Sequence, residues 1–98
     1  MALGSTELPY RQRSDDLLAA CVVQGDVRAL ETLYDRHAAM VLGIALKITD
    51  DQDLAEAVLQ ETFWQVWQRA DAYPSGDRVF TAWLFRMARS LAIDACQQ

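Results

Sequence analysis

The chain has 98 residues, of which 52% are apolar, and a net charge of −5. That length suffices for one small core and leaves no room for a second. Residues 38–46 form the longest apolar run, nine residues against the roughly 20 a membrane-spanning helix needs. No basic start followed by an apolar run opens the chain, so no secretory signal is expected. Cys21 and Cys96 stand alone, outside any CxxC or Cys/His cluster, which argues against a metal site and points to the reducing cytoplasm.

Only two prolines and four glycines interrupt a sequence rich in Ala, Leu, Gln and Arg, all good helix formers, so an all-α fold is expected. Residues 1–13 contain Gly4, Ser5 and Pro9 without periodicity and read as a mobile, disordered tail. Residues 14–98 read as one helical domain. Ser14 or Asp15 caps a first helix that runs to about Gln24, where Gly25 supplies the left-handed turn that ends it. Asp26 caps a second helix. Its apolar stripe is Leu30, Leu33, His37, Val41, Ile44 and Ile48, widened by Tyr34 and Met40, and it should end near Thr49.

Asp50 or Asp51 starts the third helix. Asp50, Asp51, Asp53, Glu56 and Glu61 lie in one stretch with no basic residue among them, and the remaining nine acidic residues balance nine basic ones. Negative charge at a helix start meets the positive end of the dipole, so much of this cluster serves capping and solubility. At about 100° per residue, Ala55, Leu59, Thr62, Phe63, Val66, Ala70 and Tyr73 share the core face. Asp53, Ala57, Gln60, Glu61, Trp64, Gln65 and Gln68 share the outer face, where Trp64 is anomalous as a large aromatic among polar residues.

Pro74, Ser75 and Gly76 form a loop, and Asp77 caps a fourth helix from about Val79 to at least Ala95. Phe80, Trp83, Leu84, Met87, Leu91 and Ala95 are its expected buried stripe. Phe85, Arg86, Arg89, Ile93 and Cys96 should point away. The fold expected is a compact bundle of about four helices, with Leu33, Ile44, Phe63, Trp67, Leu84 and Met87 in the core and Trp67 toward its edge.

Catalysis finds no support. His37, the one histidine, sits beside an apolar stripe, and the carboxylates cluster at helix starts. No glycine-rich phosphate loop and no metal-ligand spacing are present, so no enzyme activity, metal or cofactor is expected.

Three stretches resemble a known family. Residues 26–34, DVRALETLY, resemble a G-D-x-x-A-L-x-x-L-Y start. Residues 55–67, AEAVLQETFWQVW, resemble A-E-D-x-x-Q-E-x-F-x-x-x-W. Residues 80–94, FTAWLFRMARSLAID, resemble F-x-x-W-L-x-x-I-A-R-N-x-x-x-D. These patterns, in this order, are those of region 2 of bacterial RNA polymerase sigma factors of the extracytoplasmic-function (ECF) group, in the sigma-70 family. The resemblance implies a four-helix domain whose third helix docks on a coiled coil of the polymerase β′ subunit. Asp53, Glu56, Gln60, Glu61, Trp64 and Gln65 are the residues it puts there. It also implies recognition and melting of the downstream promoter element on the non-template strand. Ser75, Asp77 and Arg78 of the loop, with Phe85, Arg86 and Arg89 of the fourth helix, are the residues expected to contact DNA. An anti-sigma factor is an implied partner, and no membrane is. Departures from the pattern are Ala57 for Asp, Ser90 for Asn, and Cys96, Gln97 and Gln98 for a basic tail. The family's helix-turn-helix domain is absent from these 98 residues, and the chain is expected to be a fragment of a longer protein. The competing expectation is a helical adaptor that binds a partner helix without touching nucleic acid. The net charge of −5, lacking the basic footprint of a protein that binds DNA unaided, favours it.

Overall fold

The boundaries of α1 and α2 and the start of α3 each have a local chemical cause. In a computed structural model that describes residues 8–73 and 79–97, α1 spans Asp15–Val23, α2 Val27–Thr49, α3 Gln52–Arg69 and α4 Val79–Cys96. The Ser14 hydroxyl accepts from the Leu17 N–H at 3.1 Å and caps α1. Gly25, at φ 88°, turns the chain out of it, a conformation glycine adopts without a Cβ penalty. One Asp26 carboxylate oxygen accepts from the N–H groups of Arg28 and Ala29 and caps α2. The two aspartates that follow α2 divide the work at the next junction. Asp50 ends α2 in the left-handed region, at φ 53°, with its N–H on the Leu46 carbonyl. Asp51 begins α3 by accepting from the Leu54 N–H at 3.0 Å. Short polar side chains are the non-glycine residues that tolerate such a reversal.

The helix α2 is the element against which α1, α3 and α4 all pack. The larger core cluster joins Leu18 and Val22 of α1, Leu33 and Val41 of α2, Phe63 and Val66 of α3, and Phe80 and Leu84 of α4. A smaller cluster of Ala45, Ala55, Val58 and Ala92 closes the other end. Three of these four are alanines, which lets α2, α3 and α4 approach closely there. Thr62 is fully buried, and its hydroxyl is satisfied by the Val58 carbonyl at 2.7 Å, one turn back on its own helix.

The expected core is corrected in three places. On α3 the buried residues are those expected through Ala70, with Val58 added; Tyr73 is half-buried. On α4 the buried line is Phe80, Leu84, Ala88 and Ala92, while Trp83, Met87, Leu91 and Ala95 are only half-buried. Large side chains drew the expected stripe around the helix, whereas the alanines that permit closest approach carry little hydrophobic signal. For the same reason Ala29 and Ala45 join Leu33 and Val41 on α2, and Ile44 lies at the core's edge; Trp67 lies at the edge as expected. Ile93, expected to point away, is half-buried; the Cys96 thiol donates to the Ile48 carbonyl at 3.2 Å.

Residues 8–13 also differ from the expected tail. A 3-10 turn at Tyr10–Gln12 lies against the start of α2. The Tyr10 hydroxyl donates to Asp26 at 2.6 Å, and the guanidinium groups of Arg13 and Arg28 lie 4.1 and 5.2 Å from the Tyr10 ring centroid. Arg36 of α2 donates to the carbonyls of Tyr10 and Arg11 and to Asp15. No helix among the described residues is long and apolar enough to cross a membrane.

Candidate functional site

The helical period places Asp53, Glu56, Gln60, Glu61 and Trp64 on the exposed side of α3, with Gln65 half-buried at its margin. The set expected from the sequence is thus one continuous face. It is preorganised by pairs one turn apart: Gln52 donates to Glu56 at 2.7 Å, and Gln65 to Glu61 at 3.3 Å. Trp64 is 54% exposed, so it does not serve as a core residue of this domain. It forms one wall of a shallow apolar groove with Val27 and Leu30 of α2 and Gln60, Phe63 and Trp67 of α3. The acidic residues and the groove lie side by side, an arrangement suited to a helical partner with basic and apolar side chains.

Across α3, its seam with α4 forms two further grooves of different character. Where α3 begins, Leu54, Ala57 and Glu61 face Leu91, Asp94 and Ala95. Where α3 ends, Gln65 and Arg69 face Trp83, Arg86 and Ser90, in a groove of about 380 Å³ that Asp94 closes at one end. The seam therefore runs from acidic to basic along α3.

Among the residues expected to contact DNA, Phe85 is 38% exposed and Arg86 and Arg89 are exposed. Arg86 enters the α3–α4 groove, whereas Phe85 and Arg89 lie outside it. Ser75, Asp77 and Arg78 lie outside the described residues. Sequence reasoning missed Arg69. Its signal was available, since Arg69 stands one helical turn after Gln65 on the same face of α3.

At the entry to the α3–α4 connection, the Tyr73 hydroxyl donates to the Asp16 carboxylate of α1. The Tyr73 ring packs on Phe80 and Trp83, at 5.4 and 5.2 Å between centroids. Burial, and after it the bond to Asp16, raises the Tyr73 hydroxyl well above its ordinary value. His37 is 14% exposed, 3.0 Å from Asp15, with its ring 5.4 Å from that of Phe80. It is thus a packed residue that ties α2 to α1.

Residues 33–98 match the family model for Sigma-70 region 2. The chain is 42% identical over 65 residues to the ECF RNA polymerase sigma factor SigL of Mycobacterium tuberculosis, covering 66% of this chain and 37% of SigL. It is 32% identical over 87 residues to the ECF RNA polymerase sigma factor SigK of a Mycobacterium species (strain KMS), covering 89% of this chain and 45% of SigK. It is 31% identical over 81 residues to the RNA polymerase sigma-H factor of Pseudomonas aeruginosa, covering 83% and 42%. The chain thus spans less than half the length of each of these curated relatives. No solved structure matches it. The chain, matched over residues 33–98, thus belongs to the Sigma-70 region 2 family, with ECF sigma factors among its relatives.

Proposed function

We propose that this chain is the part of a sigma factor that binds core RNA polymerase and helps it recognise and melt promoter DNA in transcription initiation. The outward face of α3, with Asp53, Glu56, Gln60, Glu61, Trp64 and Gln65, docks on the β′ coiled coil. The connection between α3 and α4, with Ser75, Asp77 and Arg78, and the exposed side of α4, with Phe85, Arg86 and Arg89, engage the non-template strand. Melting needs a surface that favours unstacked bases over stacked ones, and aromatic and guanidinium planes provide one. An anti-sigma factor is a further proposed partner. No chemistry is assigned to the chain itself; RNA synthesis belongs to the polymerase.

The observation that carries this reading is Trp64, 54% exposed beside an apolar groove on an otherwise polar helix face. A large aromatic held out of its own core favours a protein interface. The family match supports transcription initiation over a helical adaptor with no nucleic-acid partner. A pull-down with the isolated β′ coiled coil tests the reading. The chain should be retained on that coiled coil, and Trp64→Ala should weaken retention while leaving the thermal melt nearly unchanged. If the variant unfolds while binding per folded molecule is unchanged, the interface lies elsewhere.

A further inference from the structure

We infer that the first turn of α1 is a positioning element for promoter opening, with Asp16 and Tyr73 as positioning residues that hold the entry to the α3–α4 connection against the start of α4. The inference rests on the proposed role of that connection in melting, and extends it to a helix that lies before residues 33–98 of the family match.

Adjacent aspartates of α1 reach two other elements. Asp15 pairs with Arg36 and stands 3.0 Å from His37, both of α2, and Asp16 accepts from the Tyr73 hydroxyl. Tyr73 follows the 3-10 turn Ala70–Ala72 at the end of α3, and α1 packs on that turn. The two routes then converge on one ring. His37 lies 5.4 Å from Phe80 between centroids, and so does Tyr73, which also meets Trp83 at 5.2 Å. Phe80 is buried at the start of α4. One turn of α1 therefore sets where the chain leaves α3 relative to where α4 begins.

Packing alone does not call for this hydroxyl. A phenylalanine ring would fill the same space against Phe80 and Trp83, whereas the bond to Asp16 joins groups 57 residues apart and fixes the ring relative to α1. Burial and the carboxylate hold the proton on the hydroxyl, so it donates throughout the neutral range. Holding both ends of a connection lowers the ordering cost that its residues meet on capturing an unstacked base. None of the α3 residues proposed to dock on β′ shares these bonds or ring contacts, so assembly is independent of them.

The test uses a full-length sigma factor carrying this domain, assembled on core RNA polymerase. Affinity for core and the rate of promoter opening at saturating holoenzyme, read by permanganate, are measured separately and well below the melting temperature of every variant. Tyr73→Phe keeps the ring and loses the hydroxyl; it should slow opening about tenfold, the size of one lost hydrogen bond to a charged group, and leave affinity for core within about twofold. Asp16→Ala should do the same, and the double variant should be no slower than either single one, because both remove one bond. Asp16→Asn, which keeps an acceptor for the hydroxyl, should fall between Asp16→Ala and wild type. Wild-type opening rates for both Tyr73→Phe and Asp16→Ala overturn the inference. So do losses that multiply in the double variant, which would mean that the two residues act apart. A loss of opening that only follows a loss of affinity for core overturns it as well, by making the bond a general support of the fold. An unmodified protein that assembles on core but opens no promoter is seen before any variant is made; it removes the proposed melting role and the inference with it.

Discussion

The arginines of the two halves of the molecule serve different ends. Before residue 40, Arg13 and Arg28 lie against the Tyr10 ring, and Arg36 holds Asp15 and two backbone carbonyls. After residue 60, Arg69, Arg86 and Arg89 have no such partner among the described residues. The acidic charge is divided in a similar way. Asp15, Asp16 and Asp26 each hold a side chain of another segment, whereas Asp53, Glu56 and Glu61 stand on the open face of α3. A net charge of −5 therefore describes neither region. In the N-terminal half charge fixes the fold. In the C-terminal half it is available to a partner.

The same division can be tested at finest grain by two neighbours on α3. Phe63 is 5% exposed and meets Tyr34 edge-on at 5.0 Å, while Trp64 is 54% exposed. Phe63→Ala should lower stability by about 3–5 kcal/mol, a large part of the roughly 5–15 kcal/mol that holds a domain together. A thermal or urea melt measured by circular dichroism checks this; a transition that barely moves would show that the core does not depend on the α3 inner face. Trp64→Ala should do the opposite. Its melt should shift little, and its affinity for the β′ coiled coil should fall by about 2 kcal/mol, near thirtyfold. Milder losses are expected at Gln60 and Glu61.

How much of this was legible in the sequence depends on how loudly each residue signals. The inner and outer faces of α3 were readable because Phe63, Val66 and Leu59 alternate with Gln60, Glu61 and Gln65 at helical spacing. Both caps at the α2–α3 junction were also readable as aspartates, though which one ended a helix and which began one depended on a backbone reversal at Asp50 that either could adopt. The α4 packing line was misread because Ala88 and Ala92 are silent in a hydropathy pattern that Trp83 and Met87 dominate. The turn at Tyr10–Gln12 was invisible for another reason. Its anchors come from Arg36, more than twenty residues away in sequence, and a local reading cannot see a bond of that span. The basic groove was missed because it needs Arg69 and Arg86 from two helices, and only their packing brings them together.

A smaller effect sharpens the comparison of the arginines themselves. Arg36→Gln removes the 2.9 Å ion pair to Asp15 and the bonds to two carbonyls, on groups about a quarter exposed. Its cost to stability should be about 1 kcal/mol after solvent screening. Charge reversal of Arg86 and Arg89 together should shift stability by less than about 0.5 kcal/mol, since both are exposed and neither has an ion-pair partner among the described residues. In a full-length sigma factor carrying this domain, the same double reversal should leave holoenzyme assembly intact and reduce permanganate reactivity of promoter thymines. Equal reactivity with and without it would make those arginines ordinary solvated surface.

The smallest expected effect is the response to alkali, and it belongs to the two tyrosines that bond to aspartates of the N-terminal half. The bond to Asp26 raises the Tyr10 hydroxyl, and burial together with Asp16 raises that of Tyr73. Both tyrosines therefore hold their protons more tightly in the folded chain than in the unfolded one, whose value is about 10. A raised value means that the stabilisation is complete below pH about 10 and is lost as pH rises through the folded value. Asp26 behaves in the reverse sense. The Tyr10 hydroxyl holds its carboxyl below the usual range, so its contribution is present above pH about 4 and is lost as pH falls through the folded value. The melting temperature should be flat in the neutral range and decline above pH 10. Tyr73→Phe lacks the proton that alkali removes and should start lower but decline less steeply; Tyr10→Phe should do the same to a smaller degree, because burial raises Tyr73 the more strongly of the two. Parallel declines in wild type and both variants would assign the alkaline loss to general charge repulsion. The hydroxyl bonds to Asp16 and Asp26 would then contribute nothing measurable to holding α1 and the Tyr10 turn in place.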